Sequence, residues 1–92
     1  MLCYFTYALF SLKDGEIYIG QCRNISNRLK EHNRGKVRST RSRRPLVIFY
    51  FAELKTREEA LELEKKWKTA AGRRKLKKIL KTILGWWNWQ TR

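Results

Sequence analysis

The first half of the chain carries apolar runs that have the length of β-strands. Residues 4–10 and 17–19 form two such runs, and Asp14-Gly15 between them is typical of a two-residue hairpin turn. The run over residues 46–52 is the most strand-like, and its continuous apolarity predicts a central strand covered on both faces. We therefore expect a small sheet with largely antiparallel strands.

A first helix is predicted between the second and third strands. Asn24 can cap it, apolar residues keep helical spacing over about 25–33, and Gly35 is a suitable stop. Residues 34–44 have no apolar period and are rich in arginine and lysine, so we expect a basic loop there. Pro45 is predicted to end this loop before the third strand begins.

Two further helices are predicted after the third strand. Thr56 and Glu59 form a capping-box pattern that opens a second helix, and Gly72 is expected to end it. A third helix follows at once and is expected to end at Gly85. Its apolar residues recur at helical spacing, with lysines on the opposite face: Leu76, Ile79, Leu80, Ile83 and Leu84. The order of elements predicts an α/β domain of the α+β type, with three helices packed against a small antiparallel sheet.

Length and charge narrow the functional classes. The 92 residues make one small domain, and 22 basic against 8 acidic residues give a net charge of +14. The basic residues concentrate in two blocks, 21–45 and 65–84, which alternate with apolar segments. This arrangement predicts a folded positive face that binds a polyanion. Charge alone does not distinguish DNA, RNA and an anionic membrane.

The cysteines and the apolar segments indicate in which cellular compartment the protein is expected. Cys3 and Cys22 are too few for the disulfide framework of a small secreted domain and lack the spacing of a zinc site. Residues 1–12 are apolar but have neither the basic start nor the cleavage site of a signal peptide. No segment approaches the roughly 18 apolar residues of a membrane span. We expect a soluble, cytoplasmic protein that does not associate with membranes.

Two features of the predicted helices could carry chemistry. Arg28 and His32 lie four residues apart, so both project from one face of the first helix, although such a pair is often a solvated face. Glu64 falls between Leu61 and Ala71 on the helical wheel, inside the apolar arc of the second helix. A buried carboxylate needs a cation or a metal, so an ion pair and a metal ligand are equally good interpretations. A single carboxylate would suit Mg²⁺, which retains waters and takes phosphate oxygens from its substrate.

These residues, together with Tyr7 and Tyr18-Ile19-Gly20, resemble the motifs of the GIY-YIG family of nuclease domains. The resemblance covers residues 4–84 and is greatest to the small stand-alone bacterial members. It implies a three-stranded antiparallel sheet flanked by helices, in a domain spanning 1–84. It also implies a DNA endonuclease that uses one divalent metal, Mg²⁺ or Mn²⁺, and that acts in DNA repair or recombination.

The resemblance also implies a role for each matching residue. Glu64 would bind the metal and Arg28 would stabilise charge on the scissile phosphate. Tyr7 and Tyr18 would flank the attacking water, and one of them would position it or act as its base. The metal and nearby cations could lower the pKa of that phenol. His32 would assist nearby, and the glycine of the second motif, Gly20, would let the chain turn beside the phosphate. The first motif departs from the family pattern, because Thr6-Tyr7-Ala8 replaces Gly-Ile-Tyr, and Cys22 and Ser39 depart from residues common in small members.

The DNA backbone is expected to contact cations of the two basic blocks and of the third helix. With Gly20, the candidate contacts are Arg23, Arg38, Arg41, Arg43, Arg44, Lys68, Arg73 and Arg74. Phosphate contacts position a protein without reading sequence. A chain with one site is expected to nick as a monomer or weak dimer, and selectivity for particular DNA structures stays open.

Two alternatives remain at the level of sequence. The first is a non-catalytic module that binds DNA or RNA on the same fold. The second concerns the Trp-rich C-terminal tail, residues 85–92, which either packs on an apolar patch or contacts bases or a partner.

Overall fold

The computed structural model describes the backbone of residues 3–90 and the side chains of residues 3–83. The elements follow the order that the sequence predicts, with a short 3₁₀ turn at Arg41–Arg43 in the basic loop. Their bounds are β1 Tyr4–Ser11, β2 Ile17–Cys22, α1 Ile25–Asn33, β3 Leu46–Leu54, α2 Arg57–Trp67 and α3 Ala70–Gln90. The side chains of the Trp-rich tail lie outside the described residues, so its two interpretations stay open.

The three strands form one antiparallel sheet in the order β2-β1-β3. The predicted fold class is confirmed, but the prediction that residues 46–52 form the central strand is wrong. β3 is an edge strand, and β1 lies in the centre with residues 6–9 buried. The apolar run of β3 is continuous although two of its aromatic side chains, Tyr50 and Phe51, are exposed at this edge. Phe51 packs against Phe5, and Tyr50 packs against Trp67.

The hairpin between β1 and β2 is longer than predicted. Five residues separate the strands, instead of the two of a tight turn. Gly15 has a φ of +74°, and the Ser11 hydroxyl accepts hydrogen bonds from the Lys13 and Asp14 amides. The Asp14 carboxylate in turn accepts the Glu16 amide at 2.9 Å. These side-chain bonds stabilise a wider loop, which a dipeptide signal does not reveal.

The first helix agrees with its prediction. α1 spans residues 25–33, and the Asn24 side chain accepts the Asn27 amide at 3.0 Å as its N-cap. Gly35 follows with a φ of +80°, the left-handed conformation that ends a helix most easily in glycine. The capping box of α2 is also confirmed, since Thr56 and Glu59 exchange side-chain and backbone bonds.

The other two glycines that were expected to end helices, Gly72 and Gly85, do not do so. α2 ends at Trp67, and Gly72 lies in the first turn of α3, where a Cβ atom would collide with the backbone of Lys66 and Trp67. Gly72 therefore allows the start of α3 to approach the end of α2 closely. Gly85 lies within α3, which continues to Gln90.

The sheet is covered on both faces. On one face the strands pack against α2 and α3, around Ala8, Ile17, Trp67, Leu76 and Leu80. On the other face Tyr7, Leu9 and Leu46 pack with Leu29 of α1. Tyr7 thus starts from the buried centre of the sheet and reaches toward α1.

Candidate active site

A cleft of about 540 Å³ opens where β1 and β2 meet α1, the basic loop, α2 and the first turn of α3. All five residues expected to carry catalysis line it, although they come from four different elements. The predicted site residues on its wall are Tyr7, Tyr18, Gly20, Arg28, His32, Glu64, Lys68 and Arg73. The fold therefore brings together residues that are far apart in the sequence. The most distant pair, Tyr7 and Arg73, is separated by 66 positions.

Tyr7 is the most deeply placed of these residues, with 3% of its surface exposed. Its phenol oxygen accepts a hydrogen bond from Arg28 Nε at 3.3 Å and lies 3.1 Å from His32 Nε2. Gly20 is its partner on β2, and the phenol oxygen occupies the space that a Cβ atom on Gly20 would need. The glycine of the second motif therefore makes room for the tyrosine of the first.

His32 lies inside the molecule and not on a solvated face of α1. It is 4% exposed, and its Nδ1 lies 2.7 Å from the hydroxyl of Thr40, which is itself buried. Burial lowers the pKa of His32, and the neighbouring Arg28 guanidinium lowers it further. The imidazole is therefore neutral at physiological pH, and each ring nitrogen has one hydrogen-bond partner.

Arg28 links the buried phenol to the open side of the cleft. Its Nη1 donates to Glu31 Oε1 at 3.0 Å while its Nε donates to Tyr7. A guanidinium carries more N–H groups than these two bonds use, so Arg28 can still donate to an anion in the cleft. The phosphate-binding role that the family resemblance implies for Arg28 stays a prediction.

The two tyrosines differ in their surroundings. Burial raises the pKa of the Tyr7 phenol, and the opposing effect of Arg28 is smaller. Tyr18 lies at the rim and donates to Asp14 at 3.3 Å; desolvation and the Asp14 charge raise its pKa as well. Arg28 lowers the pKa of Tyr7 in the direction expected of a nearby cation, but burial outweighs it, and the pKa values of both phenols lie above the ordinary value.

Glu64 reaches the cleft from α2 with 18% of its side chain exposed, and its Oε2 accepts from Lys68 Nζ at 2.8 Å. The ion pair that the sequence left open is thus present. In the described part of the chain, no three His, Cys, Asp or Glu side chains come together as a metal cage. A lone carboxylate beside phenol oxygens in an open cleft fits Mg²⁺ or Mn²⁺, hard cations that accept waters and phosphate oxygens as remaining ligands.

Several predicted DNA contacts lie outside the cleft. Arg23 stacks over the Tyr4 ring at 5.3 Å, and Arg38 is exposed on the loop. Arg74 lies on the outer face of α3 beside Lys75, Lys77, Lys78 and Lys81.

The remaining loop arginines stabilise the loop itself. Arg41 donates to the Gly35 carbonyl, Arg44 donates to the Arg41 carbonyl, and Arg43 pairs with Asp14 at 3.3 Å. These three side chains hold the loop that contributes to the cleft wall, whatever else they contact.

Three residues that contact the site were not identified from the sequence. Glu31 lies three positions after Arg28, a spacing that predicts the ion pair. Asp14 was interpreted only as a turn residue, yet it joins Tyr18 to Arg43. Thr40 had no signal, because nothing local to an irregular basic loop indicates which hydroxyl is buried.

Comparison with known proteins identifies the class to which this fold and cleft belong. The family model described as the GIY-YIG catalytic domain matches residues 3–78, and the chain belongs to the GIY-YIG family. Family membership points to nuclease activity, the hydrolysis of phosphodiester bonds in nucleic acid.

Individual relatives agree with this assignment. The chain is 38% identical over 68 residues to a UPF0213 protein of Staphylococcus saprophyticus, covering 73% of this chain and 83% of that protein. It is 34% identical over 77 residues to a UPF0213 protein of Staphylococcus aureus, covering 83% and 93%. The solution NMR structure of a UPF0213 protein from Bacillus halodurans superimposes with a TM-score of 0.51 at 27% identity, covering 85% of each chain.

Among the described residues, no helix is both long enough and apolar enough to cross a lipid bilayer.

Proposed function

We propose that this protein is a divalent-metal-dependent endonuclease that hydrolyses phosphodiester bonds of DNA, one strand at a time. The observation that carries the proposal is the convergence of two phenols, a guanidinium, a neutral imidazole and a carboxylate on one cleft. A phosphodiester offers an anionic centre that needs positive charge and an attacking water that must lose a proton. The cleft contains groups suited to both needs.

Each side chain has a place in this scheme. Glu64 would hold Mg²⁺ or Mn²⁺, which when bound supplies positive charge to the phosphate and polarises water. Arg28 donates to the phosphate oxygens from the opposite wall. Tyr7, once its own proton has been released to solvent, orients the attacking water and accepts its proton as a phenolate, while Arg28 and His32 hold the phenol oxygen in place. Tyr18 is placed at the rim, where it contacts the incoming strand.

The DNA backbone is proposed to leave the cleft along α3. Arg73 lines the cleft, and the outer-face cations begin at the next residue, Arg74. Lys77 and Lys81 continue the row at helical spacing, and no acidic residue interrupts it between residues 65 and 92. Such a row follows phosphates without reading bases, so the proposal includes no sequence preference.

One cleft per chain favours a single cut by a monomer or weak dimer. Cys3 and Cys22 are both free thiols, which is consistent with action in the reducing cytoplasm. We propose DNA repair or recombination as the process that this nick serves.

The decisive experiment compares wild type with Glu64→Gln and Glu62→Gln. Both substitutions remove one negative charge from α2, but Glu62 is exposed and lies outside the cleft wall. Supercoiled plasmid and a set of branched and flapped duplexes are incubated with Mg²⁺, Mn²⁺ or EDTA. Binding is measured separately in EDTA by fluorescence anisotropy.

We expect nicking by wild type and by Glu62→Gln in either metal, and none in EDTA. Glu64→Gln should bind DNA as well as wild type, or more tightly, yet lose at least about 100-fold in turnover. Equal nicking by Glu64→Gln would contradict the metal assignment. Tight binding by all three proteins with no cutting of any substrate would instead indicate a nucleic-acid-binding module without turnover.

A further inference from the structure

A row of buried polar groups forms part of the cleft wall, from the basic loop to the centre of the sheet. The Thr40 hydroxyl, 1% exposed, lies 2.7 Å from His32 Nδ1, and His32 Nε2 lies 3.1 Å from the Tyr7 phenol oxygen. Arg28 Nε donates to the same phenol oxygen. Because the imidazole is neutral, only one of its nitrogens carries a proton, and the neighbours decide which.

The two tautomers differ in which hydroxyl proton is left without a protein acceptor. If Nδ1 carried the proton, it would donate to Thr40, and the Thr40 hydroxyl proton would be buried without an acceptor. Within residues 3–83, His32 is the one side chain that bonds the Thr40 hydroxyl. If Nε2 carries the proton, Thr40 donates to Nδ1 and His32 donates to Tyr7, and the Tyr7 phenol proton is then the one without a protein acceptor among the described residues. Both hydroxyls line the cleft, so each tautomer leaves one hydroxyl proton facing it, and the bond lengths decide between the two.

The two distances favour the tautomer with the proton on Nε2. Hydrogen bonds donated by a hydroxyl are typically shorter than those donated by a ring N–H. The contact of His32 with Thr40 is the shorter one, at 2.7 Å, and its contact with Tyr7 is the longer one, at 3.1 Å. A hydroxyl donor at Nδ1 and an N–H donor at Nε2 fit these values.

We propose that Thr40 is a positioning residue that fixes His32 in the Nε2–H tautomer, so that His32 and Arg28 both donate to the Tyr7 oxygen. The phenol oxygen then accepts two N–H bonds, one from each of these side chains. Its own proton points into the cleft, which Tyr7 lines. In this arrangement His32 does not take a proton from Tyr7; it stabilises negative charge on the phenol oxygen once that proton has been released to solvent.

The consequence for catalysis rests on the proposed function, but the tautomer does not. The groups around the imidazole are the Tyr7 phenol on β1, the Arg28 guanidinium and Glu31 carboxylate on α1, and the Thr40 hydroxyl of the loop. None of them is substrate or metal. The tautomer can therefore be measured on the free protein.

The test uses the fact that the chain contains a single histidine. Long-range ¹H–¹⁵N correlation spectra of uniformly labelled protein at neutral pH distinguish a protonated ring nitrogen from an unprotonated one, and here every signal belongs to His32. We expect Nδ1 to be unprotonated and Nε2 to carry the proton. A protonated Nδ1 in the wild-type protein would overturn the proposal without any variant.

Two substitutions at Thr40 add a matched comparison. Thr40→Val keeps the shape and removes the hydroxyl, whereas Thr40→Ser keeps the hydroxyl. We expect Thr40→Val to mix or reverse the tautomers and Thr40→Ser to retain the wild-type pattern. An unchanged tautomer in a folded Thr40→Val protein would overturn the role of Thr40. If Thr40→Val does not fold, the spectra of the wild-type protein and of Thr40→Ser still decide which tautomer His32 adopts.

Nicking assays on the same proteins separate this proposal from the proposed function. Thr40→Val should lose about 10- to 100-fold in turnover, the range found when a group that orients a functional histidine is removed, with DNA affinity unchanged. Thr40→Ser should restore most of the turnover. The expected tautomers without nicking by any of the proteins would support the hydrogen-bond network and contradict the endonuclease. Full turnover by Thr40→Val despite a reversed tautomer would contradict the positioning role.

Discussion

The phenol oxygen of Tyr7 lies 2.6 Å from the point that a Cβ atom on Gly20 would occupy. The two residues face each other on adjacent antiparallel strands, so neither can move away without disturbing the sheet. Glycine is needed here for space and not for an unusual backbone angle. The spacing between the two tyrosine motifs of the sequence thus corresponds to a direct contact in the fold.

Gly20→Ala should displace Tyr7 from Arg28 and His32. We expect a loss of about 1–3 kcal/mol in the free energy of unfolding, the usual cost of overpacking, and a loss of more than about tenfold in nicking. Chemical denaturation and single-turnover rates would measure the two effects. In a Tyr7→Leu background, whose side chain ends short of the phenol oxygen, the same alanine should cost less stability. An equal loss of stability in both backgrounds would mean that the added methyl group does not clash with the Tyr7 phenol.

Tyr7→Phe and Tyr18→Phe should differ in severity. Tyr7 is buried and held by two nitrogen groups, whereas Tyr18 bonds Asp14 at the rim. If Tyr7 accepts the proton of the attacking water, Tyr7→Phe should reduce the single-turnover rate by about 10²- to 10⁴-fold, and Tyr18→Phe by less than about tenfold. DNA affinity measured in EDTA should change little in either variant. A larger loss of single-turnover rate for Tyr18→Phe than for Tyr7→Phe would indicate that Tyr18 is the base.

The helix starts could be predicted because their signals are local, whereas the set of site residues was predicted through the family resemblance. Asn24 and the Thr56–Glu59 pair satisfy backbone groups within one turn, so the sequence alone indicates them. Arg28 and His32 share a helix face by spacing alone. What brings them to Tyr7 is the packing of α1 on the sheet, which was available only through the family resemblance.

The sequence-based predictions are wrong where one local pattern is compatible with two different arrangements in the folded protein. A continuous apolar run marks a strand covered on both faces, but it also marks an edge strand whose aromatics, such as Tyr50 and Phe51, pack sideways. Glycine marks the end of a helix, as at Gly35, but it also marks close packing of two helices, as at Gly72. The contact between Thr40 and His32 depends on how the loop folds back on α1, which no local signal encodes.

Stability should fall as the pH decreases through the range in which histidine titrates. Burial holds the pKa of His32 below its ordinary value, so the unfolded chain binds this proton before the folded protein does. The free energy of unfolding should therefore be constant above about pH 7.5 and decrease toward about pH 5.5. Urea denaturation at several pH values measures the slope, and His32→Gln should remove most of it because His32 is the only histidine. A wild-type slope of opposite sign would mean that the folded protein stabilises the imidazolium.

The last prediction concerns the cations that guide DNA away from the cleft. Lys77→Gln with Lys81→Gln removes two charges from the outer face of α3, and Lys65→Gln with Lys66→Gln removes two charges from α2, where these lysines line a separate groove. For every phosphate that the protein no longer neutralises, the slope of log affinity against log salt should decrease by about 0.9. We expect the α3 pair to weaken binding and flatten this slope while the α2 pair has little effect. An equal reduction in both would mean that DNA senses the net charge of the protein, and that α3 does not form a path for the backbone.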